Sequence, residues 1–156
     1  MPHRQLTTYQ AVISQARAFR TLRSFMSEIL KQYDLTITEW LLIGSVVDTA
    51  GRGIRISELA ELLGVEMPVI TNLVNRAEKT GWVTRLADEK DKRAKLVYST
   101  KSGGQKACDI EGEIRTATAD WLDGLDADDL LTYMNVVGAL AAKPLPRMTI
   151  STRNHF

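Results

Sequence analysis

IRISELAELLGVEMPVITNLVNRAEKTGWVTRLADEKDKRAKLVYS, residues 54–99, decides the fold of this 156-residue chain. Ile56, Leu59, Ala60 and Leu63 recur at helical spacing, and Ser57 followed by Glu58 and Glu61 reads as a capped start. Gly64-Val65 breaks that helix, and Pro68 sits where the first turn of a second helix tolerates it. The second helix runs to Gly81, a residue suited to the left-handed position after a helix end. Two β-type runs follow, Trp82–Leu86 and Leu96–Thr100, on either side of the highly charged stretch Ala87–Lys95. Helix, tight turn, helix and charged hairpin is the layout of a winged helix-turn-helix.

The second helix separates cleanly on a wheel of 100° per residue. With Ile70 as origin, Leu73, Val74, Ala77 and Glu66 fall within about 60° of it. Pro68, Thr71, Asn72, Asn75, Arg76 and Lys79 occupy the opposite half. That outer face carries amides, a hydroxyl and cations but no carboxylate. An ordinary solvated helix mixes both charge signs, whereas asparagine can pair with adenine edges and Arg and Lys neutralise phosphates. The pattern therefore points to DNA, against the alternative of a plain amphipathic surface helix.

These residues resemble the winged-helix core of the MarR family of bacterial transcriptional regulators. The resemblance rests on Ile56-Ser57-Glu58-Leu59-Ala60, Ile70-Thr71-Asn72-Leu73-Val74-Asn75-Arg76, Glu78-Lys79-Thr80-Gly81 and Val83-Thr84-Arg85, and on Asp88, Asp91-Lys92-Arg93-Ala94 and Thr100 of the wing. It extends more loosely over about residues 5–143. Ala77 and Trp82 depart from the usual family residues, both at structural positions. The resemblance implies a mainly α fold with a small antiparallel β wing, in which residues 36–104 form the DNA-binding winged helix. Residues 5–35 and 105–143 would form a helical dimerisation region, with 144–156 as a C-terminal tail. It further implies that Asp91 braces a basic side chain near the second helix, with Arg76 as partner, and that Arg93 enters the minor groove. Pro68, Thr71, Asn72 and Asn75 would then face base edges, while Arg76, Lys79, Lys92 and Lys95 contact phosphates or brace the wing. Asp88 and Asp91 would hold the wing's shape by pairing with its cations. Family members often bind small aromatic or phenolic acids between their two lobes, and Trp40, Arg17, Arg20 and Tyr33 are candidates for such a pocket or, equally, for core and surface positions.

Composition bounds the answer. An apolar fraction of 44% supports a core, and no apolar run is long enough for a membrane span. The N-terminus lacks the apolar stretch of a signal peptide, and the single cysteine, Cys108, fits a reducing cytoplasm. Cys108 reads as a semi-buried structural thiol. The net charge of +1 hides an uneven distribution: residues 72–106 carry nine Lys/Arg against four Asp/Glu, and residues 109–130 one Arg against eight Asp/Glu. Such a polarised field presents one basic face to phosphate.

Outside the wing, residues 7–33 read as one long helix with an apolar stripe broader than a single partner helix needs, which suits a second copy of the chain. Thr36, Thr38 and Glu39 suggest the cap of a helix from Glu39 to about Ala50, Gly51-Arg52-Gly53 a turn, and Ile54-Arg55-Ile56 a short strand beside the wing. Thr100–Gly104 reads as a connector into a helix over about Gln105–Leu122, and a last helix spans about Asp128–Ala142. His3 and His155 lie in terminal segments, no catalytic or phosphate-loop motif occurs, and no metal or cofactor is implied. An enzyme therefore has no support. The remaining rival is a winged helix used for protein–protein contact without a DNA target, which would show an apolar or acidic outer face on residues 67–80.

Overall fold

The structure is a computed structural model that describes residues 7–88 and 95–144. Its elements run α1 (Thr8–Leu30), α2 (Ile37–Val47), β1 (Ile54–Arg55), α3 (Ile56–Leu63), α4 (Met67–Lys79), β2 (Val83–Ala87), β3 (Lys95–Ser99), α5 (Lys101–Trp121) and α6 (Ala127–Ala141). A single turn of 3-10 helix, Lys31–Tyr33, continues α1. The fold is mainly α with a small antiparallel sheet, as the sequence suggests.

The three strands lie in the order β1-β3-β2, with β3 paired antiparallel to both neighbours. Ile54 stands opposite Val97 on one side of β3, and Arg85 opposite the same Val97 on the other. Gly53, at the entry to β1, has φ +70°, and a Cβ there would lie 2.7 Å from the ring of Tyr98. Only glycine admits both that backbone conformation and that ring.

Leu30, Leu42, Leu59, Ile70, Val74 and Val97 are fully buried, so α1, α2, α3, α4 and the central strand converge on one core. Ile110 and Ile114 of α5 join it. Thr36 caps α2 reciprocally: its hydroxyl accepts from Glu39 N at 3.3 Å while Glu39 accepts from Thr36 N at 2.9 Å. This places the start of α2 at Ile37, two residues before the position expected from Glu39.

α2 ends at Val47 and not near Ala50, β1 stops at Arg55, each wing strand is displaced by one residue, and the starts of α3 and α5 differ from expectation as well. Ser57 is inside α3 and is not its cap; Arg55 stands at the N-cap position, and the Glu58 carboxylate accepts from its N–H at 3.2 Å. The segment Lys101–Gly104 is the first turn of α5 and not a connector. Thr100 starts that helix, its hydroxyl accepting from Gly103 N at 2.9 Å and donating to Gly81 O at 2.6 Å. The glycines that suggest a loop have a packing cause. A Cβ on Gly103 would lie 2.2 Å from Trp82 O, so α5 can approach the base of β2 only where it has no side chain.

By internal contacts the chain divides into Met1–Ala117 and Thr118–Phe156. In the second unit, Asp126 caps α6 by accepting from Asp128 N at 2.9 Å and Asp129 N at 3.0 Å. Leu131, Met134, Val136 and Leu140 of α6 are exposed, as are Tyr9, Val12, Ile13 and Phe19 of α1 in the first unit. No helix of the described residues is long and apolar enough to cross a membrane.

Candidate nucleic-acid interface

α4 forms as its sequence demands: Pro68 occupies the first turn, where no intrahelical N–H is required, and Gly81 follows the end at φ +79°. Ile70, Val74 and Ala77 are buried against the core, which fixes the helix rotation and turns the other face outward. Pro68, Asn72, Asn75, Arg76 and Lys79 are exposed on that face, and Thr71 is half-buried with its hydroxyl donating to Met67 O at 2.7 Å. The helix thus presents together the six α4 residues singled out from the sequence.

Among the described residues, four ion pairs hold this surface and the wing to their scaffold. The buried Glu39 of α2 accepts from Arg76 Nε at 2.8 Å, while its other oxygen accepts from Thr36 N and Oγ1 at 2.9 and 2.8 Å. Asp34 lies 3.9 Å from the same guanidinium. Glu78, on the inner flank of α4, accepts from Arg85 N at 3.1 Å and from the Arg85 guanidinium, which fastens the helix to β2. Hydrogen bonding from Arg85, with its nearby charge, holds the Glu78 carboxyl below the ordinary carboxylate value. At the root of the wing, Asp88 accepts from Arg55 at 2.9 Å, so the strand β1 and the end of β2 are joined by a charged pair.

Of the wing residues expected to act, Lys95 begins β3 and is exposed, and Asp88 is buried at the wing's base. Asp91, Lys92 and Arg93 lie outside the described residues, and the expected Asp91–Arg76 brace lies outside them too. Within the described residues Arg76 is held by Glu39 and Asp34. Sequence reasoning took Glu39 only for a helix cap and missed this second role, and it passed over Glu78 and Arg55 as bracing groups.

Two of the cavities beside α2 share Trp40. One of about 360 Å³ is lined by Phe19, Leu22, Arg23, Met26, Trp40 and Leu41, among others. A second, of about 440 Å³, lies between α2 and α5 and is lined by Trp40, Ser45, Asp48, Cys108, Glu111 and Arg115, among others. Arg17 and Arg20, the cations proposed from sequence, line neither; Arg23 and Arg115 stand there instead. Tyr33 lines a third cavity with Asp34, Glu39 and Arg76, and donates its hydroxyl to Glu113 of α5. That bond to a carboxylate raises the Tyr33 hydroxyl above its ordinary pKa. Cys108 is exposed and not semi-buried as its sequence context suggested. Among the described residues no cluster of three or more His, Cys, Asp or Glu side chains could hold a metal ion.

Residues 33–94 match the model of the MarR family. In fold the chain is similar to a MarR-family transcriptional regulator from Rhodococcus sp. RHA1, with TM-score 0.79 at 18% identity over 91% of this chain and 99% of that one. It is similar also to apo MarR from E. coli, with TM-score 0.69 at 22% identity over 87% of this chain and 98% of that one. A third solved structure, CouR from Rhodococcus jostii RHA1 bound to p-coumaroyl-CoA, gives TM-score 0.73 at 18% identity over 84% of this chain and 91% of that one.

Proposed function

We propose that this chain, whose residues 33–94 match the model of the MarR family, is a transcriptional regulator of that family that binds a pseudo-palindromic DNA operator as a homodimer. The outer face of α4 carries the reading: a carboxylate-free row of amides and cations, exposed on a helix tied to its scaffold through Glu39 and Glu78. A protein-docking winged helix has no need of that row. Asn72, Asn75, Thr71 and Pro68 face base edges. Arg76, Lys79, Lys92 and Lys95 neutralise phosphates or brace the wing, and Arg93 enters the minor groove. Two-fold symmetry sets two such helices in successive major grooves, so half-sites lie about one helical turn apart.

The mode is repression by occluding a promoter, relieved by a small aromatic or phenolic effector. The cavity at Phe19, Met26, Trp40 and Arg23 suits such a molecule, since it pairs apolar and aromatic walls with one guanidinium.

The test is selection of bound duplexes from a randomised pool, followed by fluorescence anisotropy on the selected sequence at two salt concentrations. The expected result is an enriched inverted repeat with affinity falling steeply with salt. Salt-dependent binding without an enriched repeat would reassign the protein to non-specific DNA association. Absence of binding at low salt would favour the protein-contact reading.

A further inference from the structure

Which bases α4 meets is written in its first two and a half turns. Residues 67–75, Met-Pro-Val-Ile-Thr-Asn-Leu-Val-Asn, contain no charged side chain. Met67 and Val69, 48% and 46% exposed, flank the amide row on either side of Pro68, and Asn72 and Asn75 stand exposed behind them. The first cation along the helix is Arg76, whose Nε is already given to the buried Glu39. Lys79 comes a full turn after Asn75, in the last turn of the helix.

The major groove gives each base pair a different requirement. Guanine is recognised by a bidentate Arg or Lys at O6 and N7; adenine matches the carbonyl and amino groups of Asn at N6 and N7. Thymine offers a methyl group that prefers an apolar side chain. Helix-turn-helix proteins place the N-terminal part of the second helix nearest the bases. That part of α4 holds amides, apolar groups and the Thr71 hydroxyl, which is given to Met67 O, with no Arg or Lys placed for a bidentate contact to guanine.

Resting on the DNA-binding reading above, we infer that the operator half-site consists of A·T pairs where α4 enters the major groove. Asn72 and Asn75 read adenines, and Met67 and Val69 pack against thymine methyls. Met67 and Val69 are then specificity residues that charge and hydrogen-bonding arguments alone would pass over.

The experiment uses the full chain. The half-site recovered from a randomised duplex pool is resynthesised with uracil in place of thymine, one position at a time, which removes only the methyl. An enriched inverted repeat with A·T half-site cores is the expected outcome, with each contacted methyl worth about a fourfold change in Kd. Val69→Ala and Met67→Ala should each bind the thymine and uracil duplexes equally at one position. Both side chains are about half exposed, so an unchanged thermal midpoint will show that the variants remain folded. A repeat with G·C pairs in the α4-facing core, or equal affinity for thymine and uracil duplexes throughout, overturns this inference and leaves the regulator reading standing. Failure to enrich any repeat removes the operator reading, and this inference with it.

Discussion

At the scale of single residues, Asn72 and Glu39 do opposite jobs. Asn72 is exposed and makes no contact that the core depends on, so Asn72→Ala should leave stability unchanged. It should weaken cognate-site binding by about 1–3 kcal/mol and relax preference at one base pair. Competition binding against single-position operator variants checks this, and an unchanged profile removes Asn72 from the reading set. Glu39 is buried and holds Arg76 from a position 37 residues earlier in the chain. Arg76 is about half exposed, so solvent screens the pair and the coupling belongs at the low end of the usual range. A double-mutant cycle on Glu39→Ala and Arg76→Ala should give about 0.5–1.5 kcal/mol by urea denaturation. A coupling near zero would mean the pair does not hold the helix. These two residues also mark what the sequence can disclose. Asn72, Asn75 and Lys79 were legible because helical periodicity alone assigns them to the face opposite Ile70 and Val74. Nothing in chain order links positions 39 and 76, and Glu39 already had a sufficient explanation as the reciprocal cap of Thr36.

Between elements, two contacts decide how the winged helix is assembled. Gly103→Ala would push a Cβ to 2.2 Å from a backbone oxygen of Trp82, an atom that cannot swing aside. A loss of about 1–3 kcal/mol is expected from such overpacking. Gly104→Ala meets nothing nearer than 3.9 Å and should stabilise α5 by about 0.5–1 kcal/mol, because glycine is the poorer helix former. Equal effects in chemical denaturation would contradict the packing argument. This pair also explains why the sequence suggests a connector where α5 starts: two adjacent glycines signal a turn unless the approaching backbone is known. The other contact, Glu78–Arg85, is sensitive to acid. The folded carboxyl sits below its unfolded value of 4.5, so its contribution is fully present above that pH and is lost as pH falls through the lower folded value. Glu78→Gln should therefore be less stable at neutral pH and should lose less stability than the parent on acidification below about 4.5. Parallel slopes for the two proteins would show that Glu78 does not contribute to the acid limb. The strands, by contrast, were plain from composition, since β-branched and aromatic runs flank a charged hairpin.

For the molecule as a whole, the proposed dimer accounts for apolar side chains that neither unit buries within itself. Tyr9, Val12, Ile13 and Phe19 on α1 are all more than half exposed. Val12→Glu with Phe19→Glu should shift sedimentation towards the monomer and cut operator affinity, because one wing alone engages one half-site. The parent's thermal midpoint should also rise with protein concentration, as mass action requires of a dimer. A midpoint independent of concentration, together with a monomeric sedimentation coefficient, would rule out the dimer. The breadth of the α1 stripe is what suggests a second copy in the sequence, and its apolar side chains are exposed in the structure. Of the pocket candidates only Trp40 and Tyr33 line these cavities, because a cavity is made by residues from several helices and chain order does not say which ones meet.

One feature of α2 bears on how signals would cross the protein. Glu39 holds Arg76 of α4, and its immediate neighbour Trp40 lines two of the cavities beside α2. Under the proposed function, a ligand lodged against Trp40 and a duplex seated on α4 would act on consecutive residues of one helical turn. Thermodynamic reciprocity then applies: by whatever factor the ligand loosens the duplex, the duplex must loosen the ligand. Occupied operators would disarm their own inducer, so that free regulator in the cell senses lower ligand concentrations than regulator already on its promoter.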